Sequence, residues 1–175
     1  NAVITLDVNG IPYMTFNFLG LLGQISNEAM PTTADYTAFQ APLPVTNQNT
    51  TPLTLHGAQL SFSSLSLDMA IEAVKHMIVG DSSSIKIVDR SPSGTAVVEE
   101  PALATLDLYT KARDASMGAF ALTHGTVAGN IIELTGPKVG TGSPTEQDRN
   151  GVQMLSVPLT VNPDAGNDEL VITVK

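Results

Sequence analysis

Three histidines, His56, His76 and His124, are the side chains in this sequence best suited to proton transfer or metal ligation, and they stand 20 and 48 positions apart. No pair has the HxH or HExxH spacing that sets two imidazoles on one metal, so a site would have to be gathered from distant loops. His56 and His124 each precede a glycine, in "LHG" and "THG", the spelling of a turn at a strand end. Paired carboxylates occur at Glu99–Glu100 and at Asp168–Glu169. Neighbours on a strand point to opposite faces, so these are read as solvated charges rather than an acid and base sharing a substrate. The run "NPDAGNDE" collects oxygen donors at Asn162, Asp164, Asn167, Asp168 and Glu169. It lacks the spacing of an EF-hand loop, and Pro163 with Gly166 favours a simple acidic turn. Ser64, Ser66 and the serines from Ser82 to Ser84 have no G-x-S-x-G elbow, and neither GxGxxG nor a P-loop occurs. Residues 49–51, "NTT", form a formal glycosylation acceptor and nothing more. The expectation is a protein that is not an enzyme, with no cofactor, metal or small-molecule substrate.

The composition points to what must hold these residues. The chain has 175 residues, 42% hydrophobic and 14% charged, against a usual charged share of about 25%. Thr, Ser, Asn, Gly and Pro carry most of the polarity, which suits short strands and turns better than helices. This length is expected to form a single β domain over 1–175. The formal net charge is −9, and no Lys or Arg precedes Lys75. A surface that tracks phosphates needs clustered bases, so tight nucleic-acid binding is excluded as a main role. With no cysteine there is no disulfide framework or thiolate site. No apolar stretch reaches the length of a membrane helix. The first residue is Asn1, already inside a strand-like pattern, which suggests a processed chain or a fragment lacking an upstream segment.

Ala2, Ile4, Leu6 and Val8 alternate, Asn9-Gly10 follows, and alternation resumes through Pro12, Met14, Phe16 and Phe18, a hairpin about a two-residue turn. Residues 24–56 show neither period and contain Pro31, Pro42, Pro44 and Pro52, yet Met30, Tyr36, Phe39 and Leu43 are too apolar for a freely solvated linker. These four are the candidate self-assembly residues of a loop that packs against something, such as another subunit. From Leu60 and Phe62 the apolar phase flips to Leu65 and Leu67, as a β-bulge would produce. Residues 68–77 are compatible with a helix but are read as a strand with an irregular end. "SIKIVDR" and "GTAVVEE" are two strands joined at Arg90–Gly94. Pro101, with Leu103, Leu106, Tyr109 and Ala112 at helical spacing, predicts one helix over about 101–114. Four further strands follow, with "GTGSPTEQDRNG" as a polar loop and Pro158 hinting that its strand borders an interface. The fold class is mainly β: an antiparallel β-sandwich or flattened barrel of about nine strands with one flanking α-helix.

Four stretches, "IPYMTFNFLGLLG", "IKIVDRSPSGTAVVEEPALATLDLY", "LTHGTVAGNIIELTGPKV" and "DRNGVQMLSVPLTVNPDAGNDELVITVK", together resemble the tail tube proteins of long-tailed bacteriophages. The resemblance rests on segment order and soft motifs: Asp89-Arg90 with Pro92 to Gly94, Glu99 to Ala102, His124-Gly125-Thr126, and Gly166 to Glu169. It implies a virion structural protein, assembled in the host cytoplasm, whose copies form rings stacked into a hollow tube. Its partners would be itself and other tail proteins, and DNA would pass through without specific binding on ejection. The resemblance also implies strands shared between neighbours to close an inner barrel, and a long loop that grips the next subunit or ring. An acidic lumen, with Asp164, Asp168 and Glu169 as candidates, would repel phosphates. Larger members carry a further amino-terminal domain. The alternative is an immunoglobulin-like binding or decoration module on a virion or cell surface.

Overall fold

The computed structural model describes residues 1–30, 33, 35–37, 39–80 and 83–175; Pro31 and Ser82, named above, lie outside them. Thirteen strands and one short helix make up the described chain, and every strand pair is antiparallel. In order these are β1 (Ala2–Asp7), β2 (Tyr13–Phe16), β3 (Leu53–Leu55), β4 (Ala58–Leu60), β5 (Phe62–Asp68), β6 (Ile71–His76), β7 (Ser84–Arg90), β8 (Ser93–Glu99), α1 (Leu108–Arg113), β9 (Met117–His124), β10 (Ile132–Thr141), β11 (Thr145–Arg149), β12 (Val152–Asn162) and β13 (Val171–Val174). Eleven strands form one sheet along the path β2-β1-β5-β8-β12-β10-β9-β3-β4, with β11 added to β12 and β13 to β10, while β6 and β7 form a separate ribbon. The fold is therefore mainly β and antiparallel, but the sheet does not close into a barrel, because β2 and β4 end the path.

The sheet folds over on a core drawn from both of its halves. Ile4, Leu6, Leu65, Leu67, Ala96 and Val98 from β1, β5 and β8 belong to the same buried cluster as Leu53, Leu55, Phe120, Leu122 and Leu134 from β3, β9 and β10. Burying one such side chain is worth roughly 2 kcal/mol on transfer grounds. The alternation of Ser63, Leu65 and Leu67 inward on β5, after a register shift between Phe62 and Ser64, is the bulge that the phase flip foretold. β12 runs through the middle, carrying Leu155, Val157, Leu159 and Val161 into the core. Its Pro158 does not mark an edge. β12 pairs with β8 on one side throughout, and on the other it changes partner from β11, last matched at Ser156, to β10, first matched at Leu159. The Pro158 carbonyl accepts from Gly142 N–H on that second side, so the missing N–H falls where the partners change.

Several local expectations are corrected. The Asn9-Gly10 turn is not a two-residue turn: Thr5 faces Tyr13, and residues 6–12 are drawn aside because Asn9 N–H donates to the Val45 carbonyl and Val45 N–H donates to the Gly10 carbonyl, both at 2.8 Å. The two-residue turns are elsewhere, at His56-Gly57 between β3 and β4 and at Asn150-Gly151 between β11 and β12, each with both residues at positive φ. Hence the long loop ends before β3, and the polar stretch after Thr141 contains a strand, β11, which is exposed along its whole length and shows no alternation to read.

The helix is less than half as long as expected. It spans Leu108–Arg113 because the Asp107 carboxylate accepts from Thr110 N–H and starts it there, while 101–106 turn back through bonds from Thr105 and Leu106 to the Ala102 carbonyl. Leu106 and Leu108 are the buried pair, and Leu103 is exposed, so the helical spacing counted from Leu103 had the wrong face. Gly118, past the helix, sits in β9, where a Cβ would lie 2.7 Å from the His56 ring. Residues 71–76 form a strand, as read, after a positive-φ break at Ala70.

Candidate assembly surfaces

The histidines are dispersed and locally engaged. His56 Nε2 donates to the Val139 carbonyl at 2.8 Å from a turn position. His124, buried at the end of β9, has its Nδ1 2.9 Å from the Thr50 hydroxyl, with the Leu43 carbonyl also facing the ring. His76 stands opposite Ser84 in the ribbon. Among the described residues no three His, Asp or Glu side chains converge as metal ligands. No described helix is long and apolar enough to cross a membrane.

Burial penalises the charged imidazole and holds both His56 and His124 below the ordinary value of 6.5, against the opposing pull of the Val139 and Leu43 carbonyls. The unfolded chain therefore takes up protons at a higher pH than the folded one. Stability from these rings is complete above about pH 6.5 and is lost as the pH falls below it. The thermal midpoint is expected to drop between pH 7 and pH 5, and His124→Gln should flatten that slope; a midpoint that does not move in this window would contradict the burial of both rings.

The acidic turn between β12 and β13 is self-contained. Asp168 accepts from the N–H groups of Ala165, Asp164 and Gly166, which holds its carboxyl below the usual range. Asp164 pairs with Lys138. Glu169 is buried and accepts two bonds from Arg90 Nη2, at 2.7 and 2.8 Å, while Asn167 accepts a third at 2.9 Å. The Arg90 hydrogen bond is the main cause of the lowered Glu169 pKa. The oxygen donors of "NPDAGNDE" are thus mostly committed to the turn and to the junction of β7 with β8. Arg90→Ala leaves the Glu169 carboxylate without its cation, and a loss of about 2 kcal/mol is expected from the urea midpoint. Adding Glu169→Gln should recover part of it, and a loss shared by neither variant would show that the pair is idle.

The loop divides into two halves. Residues 41–52 are tied down: Val45 is buried, Gly125 N–H donates to the Asn49 carbonyl at 2.7 Å, and Thr51 N–H donates to the Thr123 carbonyl at 2.9 Å. The described part of 17–40 is exposed. Of the candidate assembly residues, Met30, Tyr36 and Phe39 stand in solvent and Leu43 is half-buried. The Tyr36 and Phe39 rings meet at 5.8 Å, and the Phe16 and Phe18 rings stack at 6.0 Å. The loop thus carries one exposed aromatic pair, and Phe18 just past β2 stacks on Phe16 of that strand.

One surface escaped the sequence. β5 with β8 and β6 with β7 are the two halves of a single long antiparallel hairpin, running from Phe62 opposite Val98 to His76 opposite Ser84 with register shifts after Phe62 and after Glu72. The inner half is in the sheet, and the outer half leaves it. Val74, Met77, Ile78, Val79, Ile87 and Val88 are exposed on this ribbon and its tip. "SIKIVDR" and "GTAVVEE" therefore do not pair with each other but run on in line, one in the ribbon and one in the sheet. The only signal was the apolar run "HMIVG" at the end of an alternating strand.

No protein-family model matches this chain, and no curated protein matches it in sequence.

Proposed function

We propose that this chain is a virion structural protein, a tail tube subunit of a long-tailed bacteriophage that assembles with copies of itself into stacked rings around a channel for DNA. The observation that carries the proposal is the outer half of the long hairpin, a ribbon with no third strand on either edge among the described residues and six large apolar side chains exposed. A two-stranded ribbon is marginal in water by itself. Exposed edges and apolar patches of this kind are liabilities in a lone molecule and become interfaces once neighbours cover them. The exposed Met30, Tyr36 and Phe39 extend the same argument to the loop.

The charge of −9 suits a channel that DNA crosses without sticking. Glu169, neutralised by Arg90, is a poor source of lumen field, and Asp164 shares its charge with Lys138, so Asp168 is the strongest of the three candidates. The partners are further copies and other tail proteins. Negative-stain microscopy and native mass spectrometry of concentrated protein are expected to show rings or tubes; monomers at every concentration would overturn the proposal.

The exposed Tyr36–Phe39 pair also favours a second reading, an adhesive or decoration module presenting its loop to a surface. Limited proteolysis separates the two: a loop clipped with no effect on the oligomeric state supports the module.

A further inference from the structure

The folded-over sheet leaves a seam between β2 and β13. Each of these strands pairs on one side alone, β2 with β1 and β13 with β10, so among the described residues each has a free edge. Between them lies a cavity of about 110 Å³. One wall is Ile4, Leu6 and Met14; the other is the cross-strand row Leu122, Leu134 and Ile172. A cavity of about 150 Å³ takes a benzene ring, so this one has room for a single large apolar side chain. Free strand edges ask for an extended backbone, and an apolar floor asks for a segment without charge.

The same chain carries such a segment without a place for it. Residues 17–25, "NFLGLLGQI", contain no charged side chain. Phe18 is 90% exposed, Leu22 91% and Ile25 86%. Past Asn17, no backbone hydrogen bond holds the described part of this segment. In the single chain it does not occupy the slot. The segment leaves β2 at the Phe16 end, where Asn17 N–H donates to the Asn1 carbonyl and the Asn1 ammonium donates to the Asn17 carbonyl.

We propose that the seam between β2 and β13 receives residues 17–25 of a second copy of this chain, with an apolar side chain of that segment filling the cavity. The inference rests on the self-assembly reading and names the surfaces that meet. A segment of one copy entering a slot of the next is a heterologous contact, the kind that generates rings or helical tubes rather than isolated dimers.

The chain has no cysteine, so engineered thiols report without background. Leu22→Cys protein mixed with Ile172→Cys protein under mild oxidation is expected to form covalent dimers at least tenfold faster than Leu22→Cys mixed with Gln147→Cys, whose thiol lies on exposed β11. The double variant Leu22→Cys, Ile172→Cys should give a ladder of covalent oligomers. Cross-linking no faster than the control overturns the inference, and so does a double variant that closes only on itself, since the slot is then filled from within. If the wild-type protein forms tubes while the cross-link fails, self-assembly stands and this interface does not. A wild-type protein monomeric at every concentration sinks both.

Discussion

Ile78→Asp combined with Val79→Asp is expected to abolish ring and tube formation while leaving the urea midpoint within about 0.5 kcal/mol of the parent, the usual range for exposed positions. Both side chains sit at the tip of the β6–β7 ribbon and are largely exposed, Val79 fully so. They add nothing to the core of the single chain. If a neighbour covers them, each aspartate must be desolvated against an apolar surface without a partner, which costs far more than the lost contact. Anchor residues of this kind carry at least about 2 kcal/mol of binding, so the concentration needed for assembly should rise at least about 30-fold. Sedimentation velocity across a concentration series reads the shift. Unchanged assembly would show that the ribbon faces solvent in the oligomer and would remove the main support for the proposed function.

Gly125→Ala should be the most damaging small substitution in the fold, on the order of 4 kcal/mol. Gly125 has φ +101°, which side-chain-bearing residues rarely adopt, and an added Cβ would run into the Asn130 carbonyl oxygen. Strain of this kind costs about 1–3 kcal/mol, and overpacking adds about 1–3 kcal/mol. Its N–H also anchors the Asn49 carbonyl, next to the bridge between Thr50 and His124. The damage should therefore reach the tethered half of the loop, with faster amide exchange at Thr51 and Gly125. A drop of under about 1 kcal/mol in the urea midpoint would mean that the 125–130 turn shifts to make room.

The Asn9-Gly10 and Asn150-Gly151 pairs show where local reading stops. Both dipeptides spell a hairpin turn, but only the second makes a two-residue one. At the first, Val45 offers its own N–H and carbonyl, and the backbone of Asn9 and Gly10 pairs with a residue 35 or more positions away. Likewise Leu106 and Leu108 are both buried although no helical face contains both, because the chain turns before Asp107 starts the helix. Pro158 reads as an edge residue until β11 and β10 are seen to exchange places beside it.

From the sequence alone came the antiparallel β class, the bulge on β5 and the turns at His56 and His124. Those follow from period, side-chain volume and the φ preference of single residues, which act over a few positions. Only the tertiary structure decided that β5–β8 and β6–β7 are one hairpin with its outer half in solvent, that Arg90 neutralises Glu169, and that a slot opens between β2 and β13. Each of these depends on which distant strands share an edge or a face. That choice is made by the burial of the whole core, and no window of local sequence contains it.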